Sequence, residues 1–384
     1  MMDIVFVIDH FLRGGAEVQL LMLATRLHQR GWKVGILTMI PSTAHLDEIE
    51  AAGIPLVECA TGRTPLRMAG RMVRQLWRWK PSALVTFNYH ADILGRLCGK
   101  LARVPVVVSS LRTAHVKTRL RERIYHATEP LIDLTASNSQ AALRLMLSRR
   151  ILTRSKTTVI PNGIVPGLYP APLPRQEART GLGIEPGTFA WLAVGNLLPS
   201  KDYPTLLGAA ERCAAASPRF RLYIAGGGEA LEARRAEADA RGLRGRVHFL
   251  GPRTDVPGLY RACDAYVLSS AWEGMPNTVM EAMASGVPVV ATDVGGVREL
   301  VETGASGYVV PAGEPAALAE AMVAMMDLEP DQRAAMGRVG RERIEQEFAI
   351  EGIVDRWVEA LRAVSSRKGL ALEPSGAPAH GGTP

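Results

Sequence analysis

Two trains of alternating strand and helix, separated by a run of prolines and glycines, constrain this chain most. The first train opens with "DIVFVID", a continuous apolar strand. Ala16 to Arg30 follows, with Val18, Leu21, Ala24 and Leu27 at helical spacing. Strand "KVGILTM", short helix "HLDEIEAAG", strand "IPLVEC" and helix "LRMAGRMVRQLWRWK" come next. Strand "ALVTFN", a helix from His90 to Leu101 and strand "VPVVVSS" complete it. Short β-rich runs separated by amphipathic helices imply a parallel sheet covered on both faces.

The second train starts near Phe189. Strand "FAWLAVGN", a helix from Pro204 to Ala216, strand "FRLYIAGGG", a helix from Ala230 to Gly242 and strand "VHFLG" lead into a short helix over Val256 to Ala262. Strand "AYVLSS", a helix beginning near Asn277, strand "VPVVATD", helix "VRELVET" and a short "GYVVP" follow. Between the trains, "PNGIVPGLYPAPLPRQ" is Pro- and Gly-rich and reads as a linker. After Glu347 a last helix carries apolar Ile350, Ile353, Val354, Trp357, Val358 and Leu361. The two halves share a plan, not a sequence.

A length of 384 residues fits two domains, and 47% apolar content supplies two cores. The four cysteines (Cys59, Cys98, Cys213, Cys263) form no Cys-x-x-Cys spacing and read as buried packing in a reducing compartment. No apolar run has bilayer-spanning length. The first residues read as a strand, not a signal peptide, because Asp3 and Asp9 bracket them and no basic n-region precedes them. The expectation is a cytoplasmic chain. The charge is asymmetric: residues 1–165 hold 23 Lys and Arg against 11 Asp and Glu, although the whole chain is only +7. An excess this local suggests an anionic partner, whether nucleic acid, membrane face or phosphorylated substrate.

Several strand ends run into loops suited to phosphate. "RGGAE" brings Gly14 and Gly15 to a helix start, where backbone amides and the helix dipole favour an anion. The Gly-x-Gly-x-x-Gly fingerprint is absent, as is an acidic residue at the end of the second strand, which argues against a nicotinamide dehydrogenase. "VGNLLPSKDYP" places Lys201 just before a helix, as a point charge for a diphosphate. "AGGGE" and "FLGPR" add glycines and Arg253 after two further strands; a nucleotide base would fit against the latter.

"WEGMPNTVMEAMASG" is the most informative stretch. Seven residues separate Glu273 from Glu281, with the helix start between them. Amides near Asn277, Thr278 and Val279 can receive phosphate oxygens. Neither carboxylate can bind a phosphate, but each can accept hydrogen bonds from vicinal hydroxyls. Two hydroxylated groups bracketing a diphosphate would explain two carboxylates bracketing a helix start.

The combination resembles the retaining GT-B glycosyltransferases, in particular glycosyltransferase family four. The residues carrying the resemblance are "RGGAE", "IPNGI" at Ile160 to Ile164, "VGNLLPSK", "AGGGE", "EGMPNTVME" and "GGVREL" at Gly295 to Leu300. They occur in family order over about residues 3 to 365. The resemblance implies two Rossmann-like α/β domains facing each other across a cleft. The N-terminal acceptor domain spans 1–168 and the nucleotide-sugar domain 185–348. A helix over 349–366 crosses back to the first, and 367–384 is expected to be a disordered tail.

By the same resemblance the activity is a metal-independent, retaining hexosyl transfer from a nucleotide-diphosphate sugar to a glycan or lipid-linked acceptor. No cofactor is implied. Glu281 would hold the ribose. Glu273 and the amides of Gly274, Met275, Pro276 and Asn277 would hold the donor sugar, with Thr278 near the phosphates. (Pro276, lacking an N–H, contributes only its backbone position.) Lys201 and the Gly15 turn would stabilise the leaving diphosphate, and Lys201 and Glu273 are the expected catalytic residues. Two positions depart from the family pattern. Asn196 stands where many relatives carry Arg. Arg112, with His115 three residues on, stands where many carry His, so Arg112 and His115 are the acceptor-side candidates.

The basic excess concentrates in Arg67, Arg71, Arg74 and Arg78, one stripe at helical spacing, and in Lys117, Arg119, Arg121 and Arg123. Val73, Leu76 and Trp77 are expected on another face of the first helix. This surface suits the anionic cytoplasmic face of a membrane or a lipid-linked acceptor. Nucleic acid is not expected, because stacking aromatics are not interleaved with the charges. Two other functions fit less well: a nucleotide-sugar epimerase, which the motif set disfavours, and a silent sugar-nucleotide binding protein, against which Lys201, Glu273 and Glu281 argue.

Overall fold

The computed structural model describes residues 1–12, 14–60, 64–113, 115, 118–169 and 173–376. The chain divides into two compact units, Met1–Gly163 with Ile350–Pro384, and Ile164–Ala349. The expected linker segment thus begins in the first unit and continues in the second.

The first unit runs β1 (Ile4–Ile8), α1 (Gly15–Gln29), β2 (Val34–Thr38), α2 (Leu46–Ala51), β3 (Leu56–Glu58) and α3 (Pro65–Trp79). It continues with β4 (Ala83–Phe87), α4 (Tyr89–Leu101), β5 (Val106–Leu111) and α5 (Arg119–Ala127). Then come β6 (Leu134–Ser137), α6 (Gln140–Ser148) and β7 (Thr157–Val159). The sheet is parallel, in the order β3-β2-β1-β4-β5-β6-β7. The order reverses direction between β1 and β4, the topological switch point where open α/β sheets take ligands. Strands β1, β2, β4 and β5 are buried along their whole length, which is why they read as continuous apolar runs. Strands β6 and β7 were not expected: "LTAS" and "TTV" are short and hydroxyl-rich, so they carry little apolar signal.

Helix α4 lies flush on the sheet because of two glycines. A Cβ on Gly95 would sit 2.4 Å from Thr86 Cγ2, and one on Gly99 would sit 2.9 Å from Leu84 Cδ2. Beneath it lies a buried polar network. Tyr125 donates to Asp92 at 2.7 Å and Thr86 donates to its other oxygen at 2.5 Å. Arg96 lies 3.9 Å over the Tyr125 ring and donates to Ser109 at 3.0 Å. Burial pushes the Asp92 carboxyl up to about 6, against the pull of Arg96 and its hydrogen bonds.

Helix α15 (Ile350–Ser366), late in the sequence, belongs to this first unit. Its six expected apolar residues are all buried. Arg26 of α1 and Arg30 at its C-cap pair with Glu351 at 2.8 and 2.5 Å, and Arg30 also with Asp355 at 2.5 Å. The expectation of a disordered tail from residue 367 is corrected as far as Gly376. Leu372 is buried, Ser375 N donates to Asp3 at 3.0 Å, and Gly376 N to the Gly31 carbonyl at 2.9 Å. Asp3 offers a carboxylate near the N-terminal ends of β1 and β2, a contact that composition cannot reveal. Residues 377–384 lie outside the described residues.

On α3, Arg67, Arg71, Arg74 and Arg78 are all exposed, while Met72, Val73 and Leu76 are buried. Trp77 departs from expectation. It is 57% exposed beside the arginines because the buried stripe passes through 72, 73 and 76. Arg119 and Arg123 are exposed on α5, whereas Arg121 turns back to lie 5.2 Å over the Tyr89 ring. Lys117 lies outside the described residues.

The second unit contains α7 (Arg175–Gly181), β8 (Phe189–Val194), α8 (Tyr203–Ala216), β9 (Phe220–Ala225), α9 (Leu231–Ala240) and β10 (Val247–Gly251). It continues with α10 (Val256–Ala262), β11 (Ala265–Leu268), α11 (Asn277–Ala284), β12 (Val289–Thr292) and α12 (Val297–Leu300). The remaining elements are β13 (Gly307–Val310), α13 (Pro315–Asp327) and α14 (Pro330–Glu347). Its sheet is also parallel, in the order β10-β9-β8-β11-β12-β13, with the switch point between β8 and β11. Two apolar clusters form its core. Helix α11 begins at Asn277, as its sequence indicates.

Candidate functional site

The loops leaving β8, β9, β11 and β12 meet at the C-terminal edge of the second unit's sheet. Backbone contacts that require glycine hold them together. Gly226 has φ +157, and a Cβ there would lie 1.9 Å from the Gly195 carbonyl oxygen. The β8 loop is further fixed by Leu197 N donating to Gly227 O at 2.8 Å and Tyr203 donating to Gly195 O at 2.7 Å. After β12, Gly295 has φ +51, and a Cβ there would lie 2.4 Å from the Gly274 carbonyl oxygen. Gly296 N donates to that same oxygen at 2.6 Å. The "GGV" turn therefore props up the Glu273–Gly274 turn through backbone alone.

On this frame Lys201 Nζ lies 2.7 Å from Glu273 Oε1, both side chains largely buried. Ser270 donates to the same oxygen at 2.8 Å. Ser269 donates to the Lys201 carbonyl and Ala271 N to the Ser200 carbonyl, at 2.7 and 2.8 Å, stitching the two loops together. The two expected catalytic residues thus form one ion pair, although the sequence assigns them separate tasks. Met275 and Pro276 are buried beside it.

Helix α11 starts with Pro276 at its N-cap and has no side-chain cap hydrogen bond. Tyr266 donates to Thr278 Oγ1 at 2.7 Å. The Tyr260 hydroxyl lies 3.1 Å from Glu281 Oε2 and 3.0 Å from the Thr278 carbonyl. Burial raises the Glu281 carboxyl, while the Tyr260 bond, the Lys201 charge and a hydrogen bond from Tyr169 pull it down. Neither tyrosine was singled out by sequence reasoning; Tyr266 sits in a strand and Tyr260 in a short helix, and both look like ordinary core.

Arg253 forms a two-point pair with Asp255, at 2.7 and 2.5 Å, on the exposed loop after β10. Asn196 belongs to the β8 loop between the two glycine contacts.

In the first unit, Gly15 opens α1 and Gly14 is its N-cap. A Cβ on Gly14 would lie 2.4 Å from Glu17 Oε2, so that glycine makes room for a carboxylate. Arg112 follows β5. It donates to Asn162 Oδ1 and, at 3.3 Å, to Ser110, and lies 5.2 Å over the Phe87 ring. Among the described residues it forms no ion pair, and its buried Nε has no hydrogen-bond partner. Burial pushes this guanidinium down to about 10, with the Glu17 charge opposing. Asn162, of the "PNG" motif, is thus an unforeseen partner. Gly163 beside it exchanges two hydrogen bonds with Gln19, at 2.7 and 2.8 Å. His115 is exposed, its backbone N donating to Thr113 at 3.1 Å.

Residues 174–343 match the family model for glycosyl transferases group 1, and residues 14–163 match the glycosyl transferase 4-like domain. Each half of the chain is thus similar to a glycosyl transferase family. The chain is 35% identical over 201 residues to the lipopolysaccharide core biosynthesis mannosyltransferase LpsB of Rhizobium meliloti, covering 50% of this chain. It is 25% identical over 254 residues, 63% of this chain, to an Escherichia coli enzyme, UDP-Gal:alpha-D-GlcNAc-diphosphoundecaprenol alpha-1,3-galactosyltransferase. The chain spans 57% and 65% of the lengths of these two curated relatives. Its fold is that of Anabaena HepE, solved in complex with UDP and glucose. The TM-score is 0.84 at 24% identity, covering 94% of this chain and 100% of that one. The group 1 match contains Lys201, Glu273 and Glu281, and the 4-like match contains Gly15, Arg112 and His115.

Proposed function

We propose that this chain is a retaining glycosyltransferase that moves a hexose from a nucleotide-diphosphate sugar to a glycan or lipid-linked acceptor without a metal ion. The observation that carries this reading is the Lys201–Glu273 pair, 2.7 Å apart beside the uncapped start of α11, within the group 1 match. In the reaction the bond from the anomeric carbon to the diphosphate breaks, and one to an acceptor oxygen forms. The acceptor's proton passes to the departing diphosphate. Negative charge builds on that diphosphate, and Lys201 with the α11 amides stands where it develops. These groups take the part a divalent cation would otherwise play. Both side-chain bonds to Glu273 go to Oε1, so among the described residues Oε2 keeps its acceptor capacity for a sugar hydroxyl. Glu281 reads the ribose and the loop of Arg253 takes the base.

The acceptor side belongs to the first unit, with Arg112 and His115 as its candidate contacts. One relative works in lipopolysaccharide core biosynthesis and another acts on a diphosphoundecaprenol-linked sugar, which supports a glycan or lipid-linked class. The exposed arginines of α3 and α5 would dock the enzyme on the anionic cytoplasmic face of the membrane. No described helix is long and apolar enough to cross a membrane. A thermal-shift screen of nucleotide sugars tests the donor assignment. One donor raises the midpoint, and transfer from it survives a chelator with the anomeric configuration kept. A product of inverted configuration, or a rate lost to chelation, rejects the corresponding part of the reading.

A further inference from the structure

We propose that Tyr260 and Tyr266 are positioning residues for the nucleotide: Tyr260 aims the Glu281 carboxylate at the ribose hydroxyls, and Tyr266 turns the Thr278 hydroxyl proton toward the diphosphate. This rests on the donor-site reading of α11 and adds to it the two groups that set its hydrogen-bonding directions. Both rings are fully buried, on α10 and β11, with centroids 5.8 Å apart behind α11. Neither faces solvent, so neither contacts the ligand itself.

A phenol carries one proton. Tyr266 donates its proton to Thr278 Oγ1 at 2.7 Å, and no other bond to its hydroxyl competes among the described residues. Thr278 Oγ1 is thereby engaged as an acceptor, and its own proton is left to point elsewhere. On the first turn of a helix whose amides already favour an anion, that proton adds a donor for a phosphate oxygen. A threonine free to rotate would also present its lone pairs there.

Tyr260 shares its proton between Glu281 Oε2 at 3.1 Å and the Thr278 carbonyl at 3.0 Å. The bond fixes one carboxylate oxygen against the protein. Tyr169 is a second hydrogen-bond partner of the same carboxylate, and the lone pairs that Tyr260 and Tyr169 leave are the ones presented to the ribose. A carboxylate in surroundings this dense needs such a donor to stay ionised, and only the ionised form accepts from two vicinal hydroxyls. Tyr260 and Tyr266 therefore serve different parts of one ligand, and their effects separate.

The test is calorimetric binding to the full chain of UDP, GDP and ADP, their 2′-deoxy counterparts, and the corresponding monophosphates. Tyr260→Phe and Tyr266→Phe each remove a single oxygen. In Tyr260→Phe the preference for ribose over 2′-deoxyribose falls roughly tenfold, the scale of one hydrogen bond involving a charged group, while the preference for diphosphate over monophosphate holds. In Tyr266→Phe the pattern is reversed. Double variants keep this readable if a hole also loosens the helix: Glu281→Gln with Tyr260→Phe, and Thr278→Val with Tyr266→Phe, lose no more than the single Glu281 and Thr278 variants. If both ratios change alike in both tyrosine variants, or neither changes, the positioning roles are overturned and the donor reading stands. If the wild type binds no nucleotide, or shows no ribose preference, the donor reading itself fails and takes this proposal with it.

Discussion

The two units carry the same kind of sheet but treat their charged groups in opposite ways. In the second, Lys201 is matched at 2.7 Å by Glu273, and Glu281 is held by Tyr260. In the first, Arg112 is packed against Asn162, Ser110 and the Phe87 ring, with no carboxylate pair among the described residues. Compensation keeps a charged site in one geometry before a ligand arrives. An uncompensated cation is instead a cost carried in the folded state, because desolvation is not offset. The nearby Arg96 shows the alternative within the same unit, where Asp92 and the Tyr125 ring share the burial.

Breaking the matched pair tests the contrast hardest. Lys201→Ala and Glu273→Ala each lower kcat/KM by roughly 10²–10³-fold or more, the scale of one lost transition-state contact, while circular dichroism shows the fold retained. Transfer near the wild-type rate in either variant would separate the pair from the chemistry.

The buried Asp92 gives the next largest effect. Its carboxyl is raised from 3.8 to about 6, so the folded state keeps a proton that the unfolded state has released. Its contribution to stability is therefore full below about pH 4 and is lost as pH rises through about 6. Asp92→Asn removes that slope, worth on the order of 2–3 kcal/mol in the first unit. Urea unfolding read by pulse proteolysis at both ends of the window measures it. An equal slope in the variant places the titration elsewhere.

A smaller effect sharpens the comparison directly. Arg112→Met keeps most of the volume and removes the uncompensated charge, so it raises the thermal stability by about 1 kcal/mol while acceptor use falls. A lower midpoint would mean that the bonds to Asn162 and Ser110 outweigh desolvation, and the contrast between the units would go. Smallest is the outer surface. Arg74→Gln weakens co-sedimentation with phosphatidylserine vesicles by roughly fivefold, about 1 kcal/mol, and added salt erases the difference. Binding indifferent to anionic lipid and to salt would remove the membrane from the account.

Much of this was legible before any coordinates. The apolar runs of β1, β4, β5 and β8 announce themselves because a strand buried on both faces is mostly apolar on both. The glycines at 226 and 295, and the start of α11 after Pro276, are local properties of backbone and spacing. Strands β6 and β7 were missed because three or four hydroxyl-bearing residues carry no period, and the end of the chain was misjudged because its composition says nothing of Asp3. What the sequence could not state is which loop meets which. Lys201 and Glu273 lie 72 residues apart, and they pair because β8 and β11 are neighbours at the switch point of the sheet. Local periodicity determined the elements of this protein and the residue types at their ends. The sheet order, a matter of packing between distant segments, decided that those ends would form one site.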